Sequence, residues 1–397
     1  MVRRLRRSLA LAAVPLVAVL AACGSSGGGS GNSASGSGSC SPSSGYTNAS
    51  TAVPSNADPA LVKAYQDYVK PNMPGVPFSL LQCAKSEGKL TWYTITLPDA
   101  TPAVLKLFEK EFPFIKVSTY SDSGPVVFQK FVNEATAGQD KADVVQTTSP
   151  IYVDQAEQQG LIANYVPTSE NQFEAGTYEH GVWYPYAQAT QTVYMYNTKN
   201  VSAAQIAALK TYPGLWSPAM KGLKIAIPPP ATQANAQLYL YYLQQTYGIN
   251  SWHSLANEHP LLLGVTPAAD AVASGEVDVA AVTEGSAYTV FQTGAPVAWT
   301  VPSPALSQTY PQVIAKSAPD PNAARLFQEF VLSRPAQLLY AQNAYPVTRK
   351  DVPESRADLL KESWFQKNRT YYKLDYSKFS SQLDSIISQA KTIFGNG

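Results

Sequence analysis

Charge is scarce in this chain: Asp, Glu, Lys and Arg make up 14% of its 397 residues, 29 basic against 28 acidic. A nucleic acid or an anionic membrane surface needs a basic field, so neither is expected as a partner. Histidine is scarcer still. His180, His253 and His259 show neither zinc-ligand spacing nor an H-E-x-x-H pattern. A phosphate-binding P-loop and a dinucleotide fingerprint are also missing. The one G-x-S-x-G match, at 24–28, lies in a Gly/Ser run where no strained strand-to-helix elbow forms. Acid pairs such as Glu109 and Glu111 read as solvated helix faces. Nothing pairs a nucleophile with a base, so the expectation is a protein that is no enzyme and needs no cofactor or metal. Beyond one run near the start, no apolar stretch approaches the roughly 20 residues that span a bilayer.

That first run is informative. Arg3, Arg4, Arg6 and Arg7 precede an uncharged stretch from Leu9 to Ala22, broken by Pro15 and ending Leu20-Ala21-Ala22-Cys23. A basic region, a short apolar region and small residues before a cut site make a secretory signal. The ending resembles the bacterial lipoprotein lipobox, which implies lipidation of Cys23 and an anchor on the outer face of the cell membrane. Removing residues 1–22 takes away four arginines and no acid, leaving 25 basic against 28 acidic side chains, a net charge near −3. Of three cysteines, Cys40 and Cys83 then remain, an even pair in an oxidising space, expected to form a disulfide.

Residues 23–52 are Gly/Ser/Asn-rich and read as a flexible tether. Residues 53–83 read as a helical extension, with Pro59 in the first turn of a helix over 58–70 and a second helix over 79–87. The body beyond is longer than one core usually organises, which predicts two domains. Strands over 90–95, 115–120 and 142–146 alternate with helices opened by Thr101-Pro102, Ser123-Gly124-Pro125 and Ser149-Pro150. The pattern continues with an extended stretch 182–196, strands over 223–227, 277–282 and 297–301, and helices over 232–247 and 323–332. Alternation of this kind predicts an α/β protein with mostly parallel sheets flanked by helices.

Ligands of such sheets sit beyond the carboxyl ends of the strands, where helix starts offer free N–H groups. Those ends hold Thr94 and Thr96; Ser121, Ser123 and Gly124; Thr148 and Ser149; and, further on, Glu284, Ser286 and Tyr288. Thr232 opens the long helix over 232–247. Tyr184, Tyr186, Tyr194 and Tyr196 alternate along 182–196, and Tyr186 and Gln188 are added as contacts near the expected hinge. Glu284, the one obvious formal charge among them, would suit an ammonium group.

Eight phrases occur in a familiar order: LFEKEFPFIKV, SGPVVFQKFVNEATAGQDKADVV, QQGLIANYVP, YMYNTKNV, LWSPAMKGLKIAIPPP, ASGEVDVAAV, GAPVAWTVP and SAPDPNAARLFQEFVLSRPAQ. Together the chain resembles the type II periplasmic solute-binding proteins of ABC importers, in the branch with ferric-iron, polyamine, thiamine and phosphonate binders. The resemblance implies two lobes joined by crossing strands: a first lobe of 84–190 plus 303–397, a second of 191–302, and a solute in the cleft between. It further implies a monomer that hands a small polar organic solute, of organic-anion, phosphonate or polyamine type, to an ABC permease and its ATPase. Iron binders of this branch carry adjacent tyrosines after the strand corresponding to 277–282. Here Glu284-Gly285-Ser286-Ala287 stands in their place, which counts against ferric iron. The alternatives are a ferric-iron binder of the same family and a surface receptor lipoprotein that feeds no transporter.

Overall fold

The computed structural model describes residues 40, 50–95, 97, 100–343 and 345–395; the expected signal over 1–22, Cys23 and Thr96 lie outside the described residues. Ten strands follow in chain order: β1 (Lys89–Ile95), β2 (Lys116–Asp122), β3 (Val144–Gln146), β4 (Tyr184–Thr190), β5 (Val193–Asn197), β6 (Ile225–Ile227), β7 (Leu261–Leu262), β8 (Val279–Val282), β9 (Val297–Thr300) and β10 (Ser307–Ile314). They form two five-stranded sheets, ordered β2-β1-β3-β10-β4 and β7-β6-β8-β5-β9. The chain leaves the first sheet after Thr190 and enters the second at Val193. It leaves the second after Thr300 and re-enters the first at Ser307.

The two-lobed α/β architecture is therefore present, with one refinement. Each sheet carries parallel neighbours, β1 with β2 and β3, and β6 with β7 and β8. Each also carries an antiparallel strand in its interior: β10 between β3 and β4, and β5 between β8 and β9.

Side-chain alternation sorts the strands' residues onto two covered faces. Trp92 and Val144 join one core of the first lobe while Tyr93 and Val145 join the other. In the second lobe Tyr194 and Tyr196 pack on one side, Val193 and Met195 on the opposite side. The stretch 182–196 is thus two strands in two sheets, and its four alternating tyrosines are core residues.

Helices α1 (Phe78–Glu87), α2 (Ala100–Glu111), α3 (Gly124–Thr136) and α4 (Pro150–Gln158) flank the first sheet. Gly88, at φ +69°, takes the left-handed conformation that ends α1 and launches β1. Helices α5 (Ala234–Tyr247), α6 (Val265–Ser274) and α7 (Glu284–Phe291) belong to the second lobe. Helices α8 (Pro321–Val331) and α9 (Arg334–Gln342) return to the first. Phe108 of α2 packs at 4.9 Å from Phe327 and 5.0 Å from Phe330 of α8, ring centre to ring centre. Each such fully buried ring contributes about 1.5–3 kcal/mol.

Two boundaries differ from expectation. Residues 53–83, expected as a helical extension ahead of the lobes, are part of the first: Leu61, Tyr65, Tyr68, Val69, Leu80 and Leu81 are buried in the first-lobe core. At the other end, 303–397 does not stay in the first lobe. Leu359 and Phe365 join one second-lobe core. Helix α10 (Tyr376–Phe394) lays Phe379, Ile386 and Ala390 on the other, with Phe379 5.0 Å from the Tyr241 ring. The reason is spacing: these three residues share one face of a helix. The structure joins Cys40 to Cys83 with Cα atoms 5.5 Å apart.

Candidate functional site

A cavity of about 1040 Å³ opens between the lobes. From the first lobe it takes the ends of β1 and β2 (Ile95, Asp122), the start of α3 (Ser123, Gly124), Thr148, and Ala189 of β4. Tyr310, Gln342, Asn343 and Tyr345 complete that wall. The second lobe supplies α6 with Thr266 and Asp270, and α7 with Gly285, Ser286 and Tyr288, followed by Gln292 at its end.

The start of α3 is built by close approach. A Cβ on Gly124 would lie 2.9 Å from the Thr148 backbone nitrogen and 2.5 Å from its Oγ1. Only glycine lets the helix start this near the β3–α4 turn. Asp122 Oδ1 accepts from the Ser123 backbone N–H at 2.6 Å. Across the cleft, Thr283 caps α7: its Oγ1 accepts from the Ser286 N–H at 3.3 Å and lies 3.0 Å from the Ser286 hydroxyl.

Of the residues expected at the site, Ser123, Gly124, Thr148, Ser286 and Tyr288 line the cavity. The others that are described lie elsewhere. Thr94 is buried, and its hydroxyl donates to Gln146 Oε1 at 2.7 Å within the first sheet. That contact begins an interior chain in which Gln146 donates to Gln312 at 2.7 Å and Gln312 to Gln328 at 2.6 Å. Ser149 is spent on capping α4, accepting from the Ile151 N–H at 3.4 Å. Tyr186 is fully buried and donates to the Thr147 carbonyl at 3.3 Å. Gln188 is buried within β4, although its neighbour Ala189 reaches the cavity. Ser121 and Thr232 are exposed outside the cavity wall.

Glu284 is the main correction. It is 1% exposed, and both its oxygens are clasped by Arg369 at 2.6 Å. Trp299 Nε1 donates to it at 3.2 Å, and Arg356 stands 3.5 Å away. Burial alone would push the carboxyl up, but Arg369 and Arg356 hold it at about 2. The carboxylate is satisfied inside the second lobe and is not offered to a ligand. Tyr288, beside it on α7, donates its hydroxyl to Asp358 at 3.0 Å. Burial, with Asp358 adding to it, pushes that phenol up to about 12.

Sequence reasoning missed Asp122 and Asp270. These two are the charged residues of the described cavity wall, one from each lobe, and no Lys, Arg or His lines it. Asp122 was within reach, since it stands between Ser121 and Ser123 at an identified strand end. Asp270 had no local signal, as it sits mid-helix among alanines. Among the described residues no group of three His, Cys, Asp or Glu gathers as a metal site, and no helix is long and apolar enough to cross a membrane.

The family model described as bacterial extracellular solute-binding protein matches residues 94–338. A search among curated proteins gives no significant match. Among solved structures, the iron-bound HitA of Pseudomonas aeruginosa shares the fold at a TM-score of 0.64 and 20% identity, over 76% of this chain and 99% of that one. The ferric binding protein of Campylobacter jejuni gives 0.63 and 18%, over 77% and 99%. AfuA of Actinobacillus pleuropneumoniae, solved with fructose-6-phosphate, gives 0.57 and 19%, over 78% and 99%.

Proposed function

The chain belongs to the bacterial extracellular solute-binding protein family, and from that premise we propose that it is a lipid-anchored receptor delivering a small amine-bearing organic solute to an ABC permease. Family and fold are those of binding proteins rather than enzymes. The solute class is carried by one observation: the charges on the described cleft wall are Asp122 and Asp270, with no cation among them. A phosphonate or carboxylate held about 4 Å from either aspartate would be repelled by about 4 kcal/mol at a surface-like dielectric. An ammonium would gain a similar attraction, and its polar remainder would meet Thr148, Ser286 and the helix starts. The organic-anion and phosphonate options therefore fall behind the polyamine type. A cavity of about 1040 Å³ exceeds a small solute's needs, so lobe closure is the step that buries it.

Native mass spectrometry of protein purified from its own host is expected to show a co-purifying amine. In calorimetry, putrescine is expected to bind and methylphosphonate not. Asp122→Asn and Asp270→Asn should each weaken putrescine about tenfold or more, the usual cost of losing a charged hydrogen-bond partner. A phosphonate binding as tightly as the diamine would overturn this reading.

A second reading, ferric iron, is favoured by the iron-bound neighbours and by a cleft wall that includes the phenols of Tyr288, Tyr310 and Tyr345. Against it, the Tyr288 hydroxyl is committed to Asp358 and resists ionisation, whereas ferric iron wants hard anionic oxygens. Titration with ferric citrate is expected to give no visible tyrosinate charge-transfer band. A strong band near one equivalent of iron would restore the iron reading.

Anchoring rests on Cys23 at the end of Leu20-Ala21-Ala22. Cys23→Ser is expected to move the protein from the membrane to the soluble fraction and to abolish fatty-acid labelling. Persistence of both in the variant would rule out this anchor.

A further inference from the structure

Residues 354–372 belong to neither sheet, yet they contact both paths between the lobes. Arg369, its Nε donating to the Gln366 carbonyl at 3.0 Å, reaches two elements outside this segment. While it clasps Glu284, its Nη1 also reaches the Thr190 hydroxyl at 3.4 Å. Thr190 ends β4, where the chain leaves the first lobe, and Glu284 begins α7. Gln366 brackets the other path. Its Oε1 accepts from the Val301 N–H at 2.5 Å, and its Nε2 donates to the Val301 carbonyl at 3.3 Å. Further along that return path, Ala305 donates to the Thr370 carbonyl at 2.7 Å and accepts from the Tyr372 N–H at 3.0 Å.

A buried ion pair adds little net stability over apolar packing of equal volume. What a bidentate guanidinium adds is direction, since its planar fork fits a carboxylate in one orientation. Here that direction is imposed on the first turn of the helix that presents Gly285, Ser286 and Tyr288 to the cleft. We infer that Arg369 is a positioning residue which, with Gln366, ties the cleft helix α7 to both lobe crossings, so that displacement of α7 is transmitted to the hinge. This rests on reading the interlobe cavity as the solute site, but its test needs no solute.

Spin labels attached to p-acetylphenylalanine at the exposed positions of Lys106 and Lys221, one in each lobe, report the interlobe distance by electron–electron resonance. The parent protein is expected to give one narrow distribution. Arg369→Lys keeps the charge and loses the fork; Gln366→Ala removes the Val301 bracket and leaves the buried charges alone. Each is expected to broaden the distribution or shift its mean by several ångströms, with the far-ultraviolet circular dichroism unchanged. A merely structural role would lower the unfolding temperature and leave the distance distribution as it was. Parent-like distributions in both variants would overturn the inference. Should Arg369→Lys fail to fold, a parent-like distribution in Gln366→Ala alone does so. Failure of putrescine to bind would remove the amine reading without altering these distances.

Discussion

Replacing Glu284 by alanine is expected to destabilise the protein by roughly 3–5 kcal/mol, the usual cost of breaking a buried ion pair from one side. The variant strands Arg369, whose side chain is 6% exposed, without its carboxylate, and leaves Arg356, 1% exposed, to its pairing with Glu354. Glu284→Gln keeps the shape but still leaves the guanidiniums short of negative charge, so it should fall between. The pH dependence has a definite sign. The folded carboxyl titrates at about 2 against an ordinary 4.5. Its contribution is therefore complete above about pH 4.5 and is lost as pH falls toward 2, on the order of 3 kcal/mol in all. Urea denaturation followed by tryptophan emission would read both effects. Trp299 bonds Glu284 directly and stacks edge-on to Trp364 at 4.6 Å. Parent-like midpoints in Glu284→Ala at neutral pH would show that the cluster carries no net stability.

Loss of the Cys40–Cys83 bridge is expected to cost about 4 kcal/mol, the chain-entropy value for a loop of roughly 44 residues. Cys83 lies on α1, which packs against α8 in the first-lobe core. Cys40 is held on the same side, its carbonyl accepting from Asn322 Nδ2 at 3.2 Å. Asn322 is in turn bound by Glu87. Cys83→Ser should lower the urea midpoint and leave putrescine affinity unchanged, because neither cysteine lines the cleft. Peptide mapping without reductant should recover the linked fragments. Equal midpoints with and without reductant would mean that the unfolded segment is already confined.

Much of the fold is legible in local sequence, since Thr-Pro, Ser-Gly-Pro and Ser-Pro mark helix starts and apolar alternation marks the strands. Where the decisive partner is distant, legibility fails. Glu284 reads as a ligand-facing charge because its partner Arg369 lies 85 residues on. Thr94 reads as a cleft hydroxyl because the glutamine that accepts its hydrogen bond is on another strand. Strand β10 gives no strand signal in the sequence, being polar and carrying Pro311. The sheet accommodates that proline with a register shift between Tyr310 and Pro311, while the Pro311 carbonyl still accepts from the Thr147 N–H at 3.0 Å.

The position of β10 has a consequence for biogenesis. β4 pairs in its sheet with β10 alone, and β10 separates β4 from β3. The whole of 191–306 is made in between. Throughout that interval a nascent chain holds β3 and β4 with open hydrogen-bonding edges, the surfaces through which incomplete sheets associate. The second lobe has all five strands within 193–300 and can close its sheet first. The first lobe begins earlier and finishes later, so its early half is the part that a holding chaperone would have to shield during export.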